Sequence, residues 1–220
     1  MGSRGVNASP RFVFDFGAVL FRWRPSVVVA AAWPEQAEQP AWIERAVRDC
    51  FQGYGGDWGL FDQGLIDVDT LARRHEARLG WPPERVHAVV AAAQQELQPQ
   101  AGVLALMEAL QAAGHRLSYL SNMPAPLARA LQLAHPLRDW FESGVFSSDV
   151  RLCKPDPALF GLAARRFGED PGDCLLIDDH PANVAGAQAA GWRAIAFTDA
   201  PALAVALRAG GWLPQPKSGS

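Results

Sequence analysis

The chain has 220 residues, 49% hydrophobic and 20% charged, so it can bury a sizeable core and is not globally disordered. Its 20 Lys and Arg against 23 Asp and Glu leave a net charge of −3, which argues against a nucleic acid held on a basic surface and against a polybasic membrane contact. No apolar run reaches the ~18 residues of a membrane span, the N-terminal segment lacks the apolar stretch of a secretory leader, and Cys50, Cys153 and Cys174 form no CxxC pair, so a disulfide framework or structural zinc is disfavoured and a reducing cytoplasm is the expected setting.

Residues 1–10 and 214–220 read as loose tails. The apolar, aromatic run from Arg11 to Phe16 predicts a buried strand, regular over Arg11–Phe14. From Ser26 to Gln98 the pattern is mostly helical. Asp67 is the expected N-cap of a helix over Val68–Leu79, stopped by Gly80. Pro82-Pro83 opens another through Val86, Val89 and Val90. Beyond Pro99 the texture changes to alternating helix and strand. Helices are predicted over Gly102–Ala113, Pro126–Ala134, Pro157–Phe167, Ala182–Ala190 and Pro201–Arg208. Strands are predicted over Arg116–Leu120, Gly144–Ser147, Cys174–Ile177 and Arg193–Phe197. Such alternation is the mark of βαβ units and a parallel sheet. The expected fold class is therefore α/β, a Rossmann-like parallel sheet core (11–21 and 99–210) with an inserted all-helical cap (22–98). Strand order does not follow from the pattern.

Open α/β sheets bind ligands beyond the carboxyl ends of their strands. Here those ends carry Asp15, Ser121-Asn122, the loop with Lys154, and Asp178-Asp179. Lysine occurs elsewhere only at Lys217, which sets Lys154 apart. Singly, each residue has an ordinary reading: a turn former, a helix cap, a solvated lysine, an N-cap before Pro181. Their shared position points to chemistry. Carboxylates from separate strands can hold one hard cation such as Mg²⁺ through oxygen. A hydroxyl, backbone N–H groups and a lysine can hold phosphate oxygens, and one carboxylate can attack phosphorus in line.

PheAspPheGlyAlaValLeu at 14–20, LeuSerAsn at 120–122, LysPro at 154–155 and IleAspAspHisProAlaAsn at 177–183 resemble, in order, the four motifs of the haloacid dehalogenase superfamily. The resemblance spans about residues 11 to 210. It implies a Mg²⁺-dependent phosphatase for a small phosphate ester. Asp15 is then the nucleophile and a metal ligand, and Ser121 and the Asn122 backbone bind phosphate. Lys154 bridges Asp15 and phosphate. Asp179 is the main further metal carboxylate, Asp178 a second ligand or orienter, and Asn183 a support of that loop. Phosphatases of the superfamily usually carry a second Asp, a general acid, two residues after the nucleophile. Gly17 stands there, able to offer the metal only its carbonyl. Phosphatases of the α-D-glucose-1-phosphatase type share this glycine, and an anomeric hydroxyl leaves readily, which points to a sugar phosphate. His180, Asp57 and Asp62 are candidate substitute donors, though each also reads as a surface or capping residue. Alternatives are a metal-free 2-haloacid dehalogenase, disfavoured by the adjacent carboxylates, a phosphomutase, disfavoured by Gly17, and a non-catalytic binder of phosphorylated metabolites.

The cap would close over the site. Trp23 and Arg24 stand at its entrance. In the glycine- and aromatic-rich run 53–64, Trp58 and Phe61 are expected to pack the cap's core; stacking of Trp58 on a sugar face is the alternative. His75 and His87 read as ordinary helix residues, and Cys153 as filler beside Lys154. Oligomeric state leaves no mark in the sequence.

Overall fold

The computed structural model describes residues 9–52 and 55–215. Residues 1–8 and 216–220 of the expected tails, and Gly53 and Tyr54 of the glycine-rich run, lie outside them. Strand β1 (Arg11–Phe14) is followed by helices α1 (Pro25–Ala32), α2 (Pro40–Phe51), α3 (Asp57–Asp62), α4 (Val68–Leu79) and α5 (Pro83–Glu96). The α/β alternation follows: α6 (Ala101–Ala112), β2 (Leu117–Ser121), α7 (Ala125–Ala134), α8 (Leu137–Trp140), β3 (Ser143–Phe146), α9 (Ser147–Val150), α10 (Pro157–Phe167), β4 (Cys174–Asp178), α11 (Pro181–Ala189), β5 (Arg193–Ala196) and α12 (Ala200–Ala209).

The five strands form one parallel sheet in the order β3-β2-β1-β4-β5. This makes β1 the central strand and explains why all of it is buried. Successive side chains point to opposite faces. Phe12 and Phe14 join Leu117, Leu175 and Ile177 in the core under α6, α7 and α12. Val13 joins Leu120, Val145 and Leu176 in the core under α10 and α11. The fold is thus α/β with a Rossmann-like sheet and a run of helices inserted after the first strand.

Within the insertion Asp67 caps α4 by accepting the Thr70 N–H at 2.8 Å, and Gly80 ends it at a positive φ of 68°. His75 is fully buried between the Leu71 and Cys50 carbonyls, and burial holds its pKa below the ordinary histidine value. The chain leaves and re-enters the core at one place. The Arg22 N–H bonds to the Gln98 carbonyl at 2.9 Å and the Gln100 N–H to the Leu20 carbonyl at 2.8 Å. The Gln100 side-chain amide donates to the Val19 carbonyl at 2.6 Å.

Boundaries shift by one or two residues from the sequence reading, and two shifts matter. Ser121 and Asp178 are the last residues of β2 and β4 rather than the first beyond them, so backbone ladders fix their positions.

Candidate active site

Three adjacent strands of the sheet, β2, β1 and β4, end at or beside the residues singled out. Asp15 follows β1, and its N–H bonds the Ile177 carbonyl at 3.0 Å, extending the ladder by one residue. The chain then turns sharply, with Ala18 at a φ of 60°. Asp15 Oδ1 accepts the Phe16 N–H at 2.7 Å. Lys154 is wholly buried, and its ammonium lies 3.0 Å from Asp15 Oδ1 and 2.5 Å from Asp178 Oδ2. Asp178, also wholly buried, accepts the His180 N–H at 2.9 Å and the Asn183 side-chain amide at 3.0 Å. It is held as a fixed strut for the lysine.

The loop that brings Lys154 in is tied down by Asn122. Its side-chain oxygen accepts the Lys154 N–H at 2.8 Å and its amide donates to the Lys154 carbonyl at 2.9 Å. The sequence reading gave Asn122 only a backbone role. The Lys154–Pro155 bond is cis. Ser121, only 1% exposed, has a hydroxyl with no hydrogen-bond partner among the described residues. Such an atom costs free energy unless something else binds there.

Asp15, Asp178 and Asp179 place carboxylate oxygens within 4.8 Å of one another. Burial pushes the Asp15 carboxyl up to about 7, with Asp178 and Asp179 adding to the rise and Lys154 opposing it. Burial and then Asp178 also raise Asp179, although its side chain reaches the surface. Burial works against the Lys154 ammonium, but Asp15 and Asp178 outweigh it and hold the lysine above its usual value. One buried cation therefore faces more negative charge than it offsets. An oxygen-only donor set with surplus charge fits a hard divalent cation.

These groups open onto a cavity of about 290 Å³ between the sheet edge and the inserted helices. Asp15, Gly17, Asp179 and His180 lie on its core side, and Trp23, Phe51, Trp58 and Asp62 on the insertion side. Nothing but backbone stands at Gly17.

The candidate proton donors part company here. Asp57 does not line the cavity; it is tied to Arg74 and Arg78 at 3.1 Å each. His180 lines it but caps α11, its Nδ1 accepting the Ala182 N–H at 3.3 Å. Asp62 lines it, takes a hydrogen bond from Trp58, and is pushed up to about 8 by burial and then by the charge of Asp15. Its backbone is latched to the core: the Asp62 carbonyl accepts the Ser147 hydroxyl at 2.5 Å, and the same hydroxyl accepts the Met123 N–H at 2.8 Å. Gly64, at a φ of 65°, lets the chain pass the Ser148 backbone where a Cβ would come within 2.9 Å of the carbonyl. This latch spans 85 residues, a separation at which sequence periodicity carries no signal.

Trp58 packs on Phe51 at 4.6 Å and Phe61 at 5.6 Å, as expected of a core residue, and it also lines the cavity. Trp23 lines it too, whereas Arg24 pairs with Glu96 at 2.6 Å. Burial, with Asp62 adding to it, outweighs the lowering by Ser147 and the neighbouring Lys154 and pushes the Cys153 thiol up to about 12. No helix among the described residues is long and apolar enough to cross a membrane.

The chain is similar to known proteins in sequence and in fold. The sesquiterpene phosphatase of Aspergillus oryzae is 26% identical over 198 residues, covering 89% of this chain and 93% of that protein. Hexitol phosphatase A of Escherichia coli is 29% identical over 194 residues, covering 87% and 83%. A haloacid dehalogenase-family enzyme of Bacteroides thetaiotaomicron, solved with magnesium and inorganic phosphate, superposes with a TM-score of 0.68 at 20% identity, over 89% of this chain and 99% of that one. The description of haloacid dehalogenase-like hydrolases matches residues 12–191, and the chain belongs to that hydrolase family.

Proposed function

We propose that the chain is a Mg²⁺-dependent phosphatase that acts on a small phosphate ester through an aspartyl-phosphate at Asp15. One observation carries this reading: the buried Lys154 ammonium is shared between Asp15 and the fixed Asp178, beside a Ser121 hydroxyl that has no partner among the described residues. The relatives named above as phosphatases support activity on small phosphate compounds. Their names share the phosphate and differ in the organic part.

Asp15, Asp178 and Asp179, with the carbonyl of Gly17, would hold the metal. When bound it supplies positive charge against the anionic phosphate. An Asp15 carboxylate oxygen attacks phosphorus, and the bond from phosphorus to the ester oxygen breaks. Lys154 holds Asp15 in place and offsets the charge of the incoming phosphate. The Ser121 hydroxyl and the Asn122 backbone N–H bind phosphate oxygens. Asp62 gives its proton to the departing oxygen, the task Gly17 cannot perform. The Asp62 carboxylate then takes a proton from the water that attacks the aspartyl-phosphate, and inorganic phosphate leaves. The helical insertion closes the cavity over these steps as a cap.

The sequence argument for a sugar 1-phosphate rested on a missing donor. With Asp62 on the opposite wall of the cavity, that reason weakens. A metal-free dehalogenase reading has against it the clustered carboxylates, which would repel one another and an anionic haloacid. Turnover of p-nitrophenyl phosphate with Mg²⁺, and in EDTA, beside Asp15→Asn tests the proposal. Metal-dependent turnover lost in the variant is expected. Chloride release from 2-chloropropionate without metal would replace it with the dehalogenase reading.

A further inference from the structure

We infer that the substrate is the phosphate monoester of a hydrocarbon alcohol, aliphatic or aromatic, rather than of a sugar. This rests on the phosphatase reading and concerns the other half of the same site.

The two walls of the cavity differ in chemistry. The core side carries the groups that meet phosphate. Opposite them stand Trp23, Val47, Phe51, Trp58 and Leu97, with Leu127 of α7 completing the wall. Trp23, Phe51 and Trp58 pack on one another with centroids 4.6 to 6.5 Å apart, so this is a continuous carbon surface and not scattered rings. Among the described residues the one acidic group on that side is Asp62, and the Trp58 indole N–H already serves it.

Among the described residues, Asn122, Asn183 and His180 on the core side are each engaged through at least one polar atom. Asn122 spends both ends of its amide on the Lys154 backbone. Asn183 donates to both oxygens of Asp178. His180 caps α11 through Nδ1. A sugar ring placed here has its phosphate well met and, among the described residues, most of its hydroxyls against carbon. A buried hydroxyl without a partner loses roughly a factor of ten in affinity, and several would each add their own loss. A hydrocarbon of the same shape gains from burial against the same wall. Aromatic faces do stack on sugars, but stacking serves the ring's CH face and leaves its hydroxyls needing partners at the edge.

A matched pair tests this. Cyclohexylmethyl phosphate and glucose 6-phosphate both release a primary alcohol from a six-membered ring, so leaving-group chemistry is similar and the ring hydroxyls are the main difference. The full chain with Mg²⁺ is assayed for kcat/KM on both, with p-nitrophenyl phosphate as the check on phosphatase activity. Binding of the same two esters to Asp15→Asn is measured by calorimetry. The expected result is a kcat/KM at least about tenfold higher, and correspondingly tighter binding, for the cyclohexyl ester. Equal or better use of glucose 6-phosphate overturns the inference while leaving the phosphatase intact. If p-nitrophenyl phosphate is not hydrolysed, the phosphatase reading falls, and calorimetry alone decides: tighter binding of the cyclohexyl ester sustains the apolar site, and no preference removes it.

Discussion

The Lys154 ammonium lies 2.5 Å from Asp178 Oδ2, and neither side chain meets solvent. A buried pair of this kind is costly to break because the surviving charge is stranded. Lys154→Met strands Asp15 and Asp178 together. Unfolding in urea should show a loss of about 3–5 kcal/mol at pH 8. The loss should shrink toward pH 5, where a stranded carboxyl can take up a proton. Turnover should fall by about a thousandfold or more. An equal loss of stability at both pH values would mean the lysine matters for packing and not for charge.

Ser121→Ala separates binding from folding. The Ser121 hydroxyl has no partner among the described residues, so its removal takes nothing from the fold and relieves an unsatisfied buried atom. Stability should stay within about 0.5 kcal/mol of the parent or rise. KM for any phosphate ester should rise roughly tenfold. A destabilised variant with unchanged KM would remove the hydroxyl from the phosphate site.

Asp62→Asn tests the proton donor through leaving groups. An alkyl alcohol needs a proton as it departs; p-nitrophenolate does not. The variant should lose about a hundredfold or more in kcat on alkyl esters and keep most of its rate on p-nitrophenyl phosphate. In the parent, alkyl-ester turnover should fall as pH rises through about 8, where Asp62 gives up its proton. Equal losses on both esters would make Asp62 a structural residue.

The metal-free protein should lose stability as pH rises. Asp15 at about 7 and Asp62 at about 8 both stand above the ordinary value of 3.8. The unfolded chain releases these protons near the ordinary value while the fold retains them. Their contribution is therefore whole in acid and is lost as pH climbs through about 7 and about 8. His75, held neutral by burial, acts in the opposite direction below its ordinary value, so comparison with Asp15→Asn and Asp62→Asn isolates the carboxyls. In EDTA, Tm should fall between about pH 5 and pH 8, less steeply in either variant. Mg²⁺ should restore Tm most at the upper end. A flat profile in EDTA would place these carboxyls in solvent.

The sheet edge was legible because strand ends are local events. A run such as Cys174–Ile177 followed by two aspartates announces both the strand and what it delivers, and Asn183 falls in the first turn of the helix that follows. Strand order was not legible, since β1 pairs with β2 and β4 across gaps of about a hundred residues or more that hydrophobic periodicity does not report. The donor was the harder case. Nothing near Asp62 in the sequence separates it from Asp57, five residues earlier on the same short helix. Only the latch through Ser147 and the arginines around Asp57 tell the two apart.

The paired crossing between Leu20–Arg22 and Gln98–Gln100 has a consequence for descent. The chain departs and returns through hydrogen bonds to itself, 2.8 and 2.9 Å long, a few residues beyond Asp15. Whatever lies between those bonds can lengthen, shrink or be exchanged whole, and the strand that carries the nucleophile keeps its register. Lineages built on such a gate can vary the alcohol they recognise, and with it the proton donor that Asp62 supplies here, while the groups that bind and attack phosphorus stay where they are.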